Sequence, residues 1–498
     1  MILRVARAPA KGVPEGCFFY MSALPAEDVS NYGRSGPSAV IGKAASLLRR
    51  YSFMAEKQGG WGSRLGFILA SAGSAVGLGA IWKFPYMAGN YGGAVFMLPY
   101  IFFTLTVGVA LLVAEFSMGR AGRRGAVGSL NNVCGKPWGI FGGIGVFTVF
   151  LILSFYSVVG GWCLKYIWNS VTGFGLVTDA AVLNANFGAF VSDGVQSYGL
   201  LIAFLLLTGL VVVRGVDKGI ERVAKVLMPG LFLLMIVLII RGVTLPGGWK
   251  GVEFLFTPNV ENFTGEALFN AMGFCFFSLS LGAGTMITYG SYLSPKDNLT
   301  GSVGWVAVLA ILSSILGGLM VMPAVFAFGL DPTAGPGLTF VTMPAIFAKM
   351  PAGQLFAVFF YVCLLVAALT SSVSMLEACT ALLSQETAMN RRQAMRLTLI
   401  GAAVVGFFAN QSFGGWADVK FFGKTIFDLL DFLTSNVGMP LSTFGIAIAA
   451  AWVAWPTTKR ELATGNSLTE GKLSLMRILI GVVAPLFVII VAAGGLFG

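Results

Sequence analysis

The chain has 498 residues, of which 56% are hydrophobic and 11% charged, with a mean hydropathy of +0.84. Soluble domains carry roughly 25% charged residues, so the composition excludes a water-soluble globular protein and points to a polytopic membrane protein. There is no histidine, which removes imidazole as base, proton relay or metal ligand, and the formal net charge of +11 reads as topology and attraction to anionic lipid, with no nucleic acid as partner.

A helix needs about 20 apolar residues to cross the hydrocarbon. On that measure eleven spans fall near 63–86, 94–118, 141–171, 196–213, 221–242, 264–290, 300–328, 354–384, 394–410, 425–454 and 475–497. If the N-terminus is cytoplasmic, seven basic residues fall outside (Lys83, Lys165, Arg241, Lys250, Lys349, Lys420, Lys424) and the other 25 of the 32 fall inside. The positive-inside rule therefore places the N-terminus in the cytoplasm and the C-terminus outside a plasma (inner) membrane. Residues 1–60 read as a disordered cytoplasmic tail, because the stretch 18–24 is too short and interrupted for a signal-peptide core. Cys17, Cys134, Cys163, Cys275, Cys363 and Cys379 show no CxxC spacing and read as inert small hydrophobes.

The first span, SRLGFILASAGSAVGLGAIWKFPY, is interrupted at its midpoint by Gly77-Leu78-Gly79. Glycine loses more conformational freedom than any other residue on entering a helix, so the helix is expected to open there. Bare peptide groups at mid-membrane depth are tolerated only where they line a cavity or bind something. The sixth span repeats the feature in Gly282-Ala283-Gly284. Small residues also let helices pack closely, but matched breaks in the first and sixth spans favour two inverted five-span halves, 61–242 and 243–455, followed by a cytoplasmic loop and an eleventh span over 456–498.

Tyr156, at the centre of the third span, needs a partner for its hydroxyl: either it faces the cavity or it is a core aromatic bonded to a carbonyl. In the eighth span Ala367, Thr370, Ser371, Ser374 and Met375 recur at helical spacing on one face. Adjacent hydroxyls there would give a sodium ion hard oxygen ligands, the alternative being small-residue packing with hydroxyls bonded back to the helix. Ionisable groups within or near spans are few: Lys83, Glu115, Glu377, Asp428 and Asp431. Lys83 and Asp431 both lie towards the outer side, where a weak closing ion pair suits a gate that must reopen.

Together, RLGFILASAGSAVGLGAIWKFPYMAGNYGGAVFMLPY, EFSMGR, FFSLSLGAGTMITYGSY, VTMPAIFAKMPAGQLFAVFFY and AALTSSVSMLE resemble the neurotransmitter:sodium symporter family. The likeness is to its bacterial amino-acid members with the leucine-transporter fold, over residues 57 to about 455. The resemblance implies an all-α fold of eleven transmembrane helices in two inverted repeats, with helices one and six discontinuous. It implies a sodium site at the carbonyls of Gly73, Val76 and Ala367 and the hydroxyls of Thr370 and Ser371. It implies a substrate carboxylate on the amides of Leu78 and Gly79 and the hydroxyl of Tyr156, and an amino group on the carbonyls of Ala75, Phe277 and Ser278. Ile152, Ser280, Ala283, Ser371 and Met375 would shape the side-chain pocket. Gly77 stands where amine-transporting relatives carry an aspartate, which implies an amino acid as substrate; Lys83, Phe277 and Asp431 would form the outer gate.

Several positions depart from the family pattern. Ala80, with Leu309 or Ala310, replaces the side-chain ligands of the family's first sodium site and leaves only Ala75 and Ser278, so one Na+ is expected. Ser313 suits a chloride site but Phe274 replaces its glutamine. The inner gate pair falls on neutral Gln58 and Gln385, with Lys57 and Glu386 as a substitute pair. The expectation is a sodium-coupled importer of an apolar α-amino acid, and not an enzyme, with the bilayer as partner and a homodimer left open. Two alternatives are carried with it: a transport-inactive amino-acid sensor, and a carrier in which a proton at Glu115 or Glu377 replaces the missing ion.

Overall fold

The computed structural model describes residues 60–174, 177–258, 263–331, 337–464 and 468–497. The tail assigned to 1–60, with Cys17, Lys57 and Gln58, lies outside them except for its last residue. The first half contributes α1 (Arg64–Ala75), α2 (Gly79–Asn90), α3 (Ala94–Gly122), α4 (Ala126–Cys134), α5 (Lys136–Thr172), α6 (Ala180–Ser192), α7 (Gly194–Val212) and α8 (Val216–Val243). Beyond these come α9 (Trp249–Phe256), α10 (Gly265–Ser278), α11 (Thr285–Ser291), α12 (Leu299–Ala327), α13 (Leu338–Lys349), α14 (Gly353–Glu386), α15 (Arg391–Gln411), α16 (Ile426–Val453), α17 (Trp455–Ala463) and α18 (Glu470–Gly495). Among the described residues nine of these helices are long and apolar enough to cross a bilayer, and the bent pair α1/α2 makes a tenth.

The first span starts where the sequence supplies a cap: the Ser63 hydroxyl accepts from the Gly66 amide at 3.0 Å. It breaks at Val76–Leu78 and resumes at Gly79 with a 50° change of direction, its first turn wound as a wide π-helix to Lys83. The sixth span is interrupted more deeply. α10 ends at Ser278, α11 begins at Thr285, and between them Ser280, Gly282 and Gly284 all take positive φ (53°, 74° and 70°). Each piece is too short to span alone, 14 and 7 residues.

The long helices α5 and α14 pack along each other, with α7 and α15 against α5. Close approach of α7 is set by Gly160 and Gly161, whose missing Cβ atoms leave room for the Phe204 ring and the Leu200–Leu201 backbone. α1 lies against α8, α12 and α14, while α11 packs on α3. The five described cysteines are all free, four of them buried, as small apolar side chains would be.

Candidate functional site

The two breaks open onto one cavity. Its wall is formed by Ala75, Gly77, Leu78 and Gly79 of the first span, Ile152 and Tyr156 of α5, Phe277, Ser280 and Ala283 of the sixth span, and Ser371 and Met375 of α14. The structure thus brings together eleven of the twelve residues expected around a substrate. The twelfth, Ser278, is buried just outside, its hydroxyl bonded to the Cys275 carbonyl at 3.2 Å. About 40 Å³ of the cavity is open to the centre of a water-sized sphere. Each of its lining side chains is neutral.

Hydroxyls tie the broken ends to α14. Ser371 Oγ donates to the carbonyls of Gly73 (3.2 Å) and Ser74 (3.1 Å), and Ser280 Oγ donates to the same Ser74 carbonyl at 3.0 Å. The Ser74 hydroxyl meets that of Ser374 at 2.7 Å. Tyr156 is held in the cavity: the Leu78 amide donates to its hydroxyl at 3.1 Å. That partner resolves the choice left open for Tyr156, because it faces the broken strand of backbone and not a core carbonyl. A Cβ on Gly77 would come 2.5 Å from Ser371 Oγ and 3.2 Å from Tyr156 Oη, so the glycine keeps the helix end against both. Ser74, Val149, Thr285, Ser374 and Met439 also line the cavity but were not among the residues expected around a substrate. The eighth-span spacing places Ser374 on the same face as Thr370 and Ser371 without giving it a role; nothing in the sequence marks Val149 or Met439.

Of the expected sodium ligands, Gly73 packs so close to Thr370 that a Cβ would sit 3.1 Å from the threonine Cβ, while Thr370 Oγ1 bonds back to the Val366 and Ala367 carbonyls of its own helix, both at 3.1 Å. Val76, at the break, is fully buried. The set is made of neutral oxygens: the Gly73 and Val76 carbonyls at the C-terminal end of α1, the Ala367 carbonyl within α14, and two hydroxyls. Among the described residues no three His, Cys, Asp or Glu side chains cluster.

Phe277 stands between this cavity and a larger one of about 270 Å³, to which Lys83, Tyr86, Ser435 and Asn436 also belong. Lys83 Nζ stands 4.7 Å from the centre of the Phe277 ring, while Asp431 accepts from Ser435 Oγ at 3.1 Å. In this conformation the lysine caps the aromatic ring, in a cation–π contact, where an ion pair with Asp431 was expected to close the gate.

At the expected chloride position Phe274 is buried against the rings of Phe84, Phe96 and Tyr100, and Ser313 Oγ turns back to the Ala310 carbonyl of its own helix. Ala80, Leu309 and Ala310 place no side-chain oxygen near Ala75 and Ser278. Glu115 is fully buried: one oxygen accepts from the Gly282 amide at 2.7 Å and the other has no partner among the described residues. Glu377, also fully buried, is engaged by Arg391 and by the Tyr292 hydroxyl at 2.8 Å. Glu386 pairs with Arg124 at 3.1 Å, so the substitute partner assigned to Lys57 is already taken within the described residues.

A sequence profile described as "Sodium:neurotransmitter symporter family" matches residues 58–177 and 186–496. A sodium-dependent transporter of Bacillus subtilis (strain 168) is 41% identical over 436 residues, covering 86% of this chain and 96% of the relative. One from Haemophilus influenzae is 32% identical over 88% of this chain and 98% of its own length. The crystal structure of MhsT in complex with L-phenylalanine superposes with a TM-score of 0.80 at 39% identity, over 87% of this chain and 98% of MhsT.

Proposed function

The chain belongs to the sodium:neurotransmitter symporter family, and from that membership we propose that it imports an apolar α-amino acid by alternating access, driven by one sodium ion. Membership makes it a sodium-coupled multi-pass membrane transporter and not an enzyme. The substrate class rests on one observation: two broken helices turn their backbone ends onto a single cavity whose side chains carry no charge. A zwitterion complements such a site. Its carboxylate suits the amides at the start of α2, and its ammonium suits the carbonyls that end α1 and α10, because helix termini carry partial charges of those signs. Leu, Ile, Phe and Met side chains supply the apolar remainder. The relative solved with L-phenylalanine agrees with this class.

Sodium coupling is assigned to Gly73, Val76, Ala367, Thr370 and Ser371. An ion held there bridges α1 to α14, and by binding one arrangement of those helices better it shifts the population towards it. The first sodium site of the family has too few oxygens here, and the aromatic packing of Phe274 supplies no anion donor; the reading is therefore one sodium ion and no chloride. It counts α10 and α11 as one interrupted crossing, which brings the crossings to eleven. The N-terminus is inside, and 61–242 and 243–455 are the two repeats.

Radiolabelled uptake of the twenty amino acids into proteoliposomes, with sodium and pH gradients imposed separately, tests this. Accumulation of an apolar amino acid under a sodium gradient, unchanged when gluconate replaces chloride, is the expected result. Binding without accumulation would make the protein a sensor. One observation favours a second reading: Glu115, buried with no ion-pair partner among the described residues and bonded to the broken sixth span, is placed to carry a proton. Accumulation under a pH gradient alone would select it; Glu377, already paired with Arg391, is the weaker candidate.

A further inference from the structure

We propose that Glu221, at the cytoplasmic start of α8, is the latch that holds α1 shut against the inner side. The inference rests on the alternating-access reading above. The carboxylate is 3% exposed and grips the residues that lead into α1: the Gly62 amide donates to Oε2 at 2.6 Å and Ser63 Oγ donates to Oε1 at 2.8 Å. Lys225, one turn further along α8, completes the clasp at 2.6 Å. Gly66 is built for the contact, since a Cβ there would overlap the Glu221 side chain. Trp61 closes the same end, its indole donating to the Tyr289 carbonyl at 3.0 Å and its ring set edge-on against Tyr289.

The residues that would ordinarily be sought as an inner gate are committed elsewhere. Gln385 accepts from the Gly125 amide at 2.6 Å and Glu386 pairs with Arg124, so both fasten α14 to the turn between α3 and α4. α1 runs unbroken from this latch to Gly73, Ser74 and Ala75 in the central site. A helix of 12 residues moves as a rod, so release at Glu221 frees the carbonyls that hold the ion and the substrate, and occupancy of the site favours closure at Glu221. Glu221 is thus a positioning residue: it touches neither ligand and sets which arrangement of α1 is populated.

The test uses the full chain in inside-out vesicles, with Ser71→Cys as reporter. Ser71 is fully buried midway along α1 and does not line the cavity. Modification of the introduced thiol by a membrane-impermeant maleimide then reports inner opening, with the same chains retaining Ser71 giving the background. Loss of charge-assisted hydrogen bonds shifts such an equilibrium by about tenfold or more. Glu221→Gln should therefore speed labelling of the reporter by about that factor. Gly66→Ala, which displaces the carboxylate without altering a charge, should do the same, while Glu386→Gln should not. Saturating sodium should slow labelling again in both latch variants. Labelling unchanged in both, or raised but indifferent to sodium, overturns the proposal, the second outcome meaning general loosening. Failure of sodium-driven uptake by the reporter chain itself would instead sink the transport reading, and labelling needs no flux to be read.

Discussion

Ser371 touches both proposed sites: its hydroxyl bonds the Gly73 and Ser74 carbonyls and faces the bare Cα of Gly77. With Thr370 it supplies the side-chain oxygens of the proposed sodium site. A hydrogen bond or ligand contact to a charged group contributes about 1.5–3 kcal/mol, so losing two should raise the sodium concentration for half-maximal uptake by at least about 100-fold. Thr370→Ala with Ser371→Ala is expected to abolish sodium dependence within the accessible range, measured as uptake against sodium at fixed ionic strength; an unaltered sodium curve would remove the ion from this place. The spacing of these two hydroxyls left ion ligation and small-residue packing both open, and the sodium role assigned to them came from the resemblance to the family. Ser74 was not legible, since a lone serine in a small-residue helix looks like packing. Glu221 was missed for a different reason: it precedes an apolar stretch, where a carboxylate normally meets water, and only the fold brings Gly62 and Ser63 to it.

The two broken helices differ in how well the sequence foretold them. Gly77-Leu78-Gly79 announced the first break, and the helix opens one residue earlier, at Val76, because Gly79 already begins the wide turn of α2. In the sixth span Gly282 and Gly284 take the positive φ that favours glycine, but the unwinding starts at Leu279 and passes through Ser280 at φ 53°. A serine seldom adopts that conformation, and its bond to the Ser74 carbonyl accounts for it. Gly282→Ala would combine left-handed strain with overlap on the Met439 carbonyl and the Thr443 hydroxyl, at a cost of about 1–3 kcal/mol for the strain alone. The expected outcome is a lower thermal midpoint in detergent and loss of substrate binding. Glu115→Leu should do much the same by stranding the Gly282 amide, an unsatisfied buried donor costing about 1–3 kcal/mol. Glu115→Gln keeps an acceptor and cannot titrate. Binding should survive in Gln and fail in Leu, as read by scintillation proximity; if the pH dependence of uptake also vanishes in Gln, the proton-coupled reading gains what the sodium reading loses.

Across the whole molecule the two membrane faces are held together differently. Arg120–Glu461, Arg124–Glu386, Lys225–Glu221, Arg391–Glu377 and Lys459–Glu470 all lie on the face that the lysine and arginine count assigns to the cytoplasm. The first joins α3 to α17 at 2.5 Å, with Arg120 also donating to the Asp297 carbonyl. On the other face Lys83, Lys165, Arg241 and Lys424 stand over the rings of Phe277, Phe190, Phe356 and Phe432. Arg120–Glu461, Lys225–Glu221 and Arg391–Glu377 each bury at least one partner, and removing the other is costly, whereas Lys459–Glu470 is exposed. The rings under the cations are buried or half-buried, where such contacts contribute about 0.5–2 kcal/mol, so the two faces differ in the kind of contact that opening must break, and the importer reading needs the cation–π face to be the outer one. Single cysteines decide it in intact cells: Phe422→Cys, at a site 96% exposed in the 421–424 turn, should react with an impermeant maleimide added outside, and Arg392→Cys, at the start of α15, should react only after permeabilisation. The reverse pattern would invert the chain in the membrane, put the ionic face outside, and turn the proposed importer and its Glu221 latch round with it.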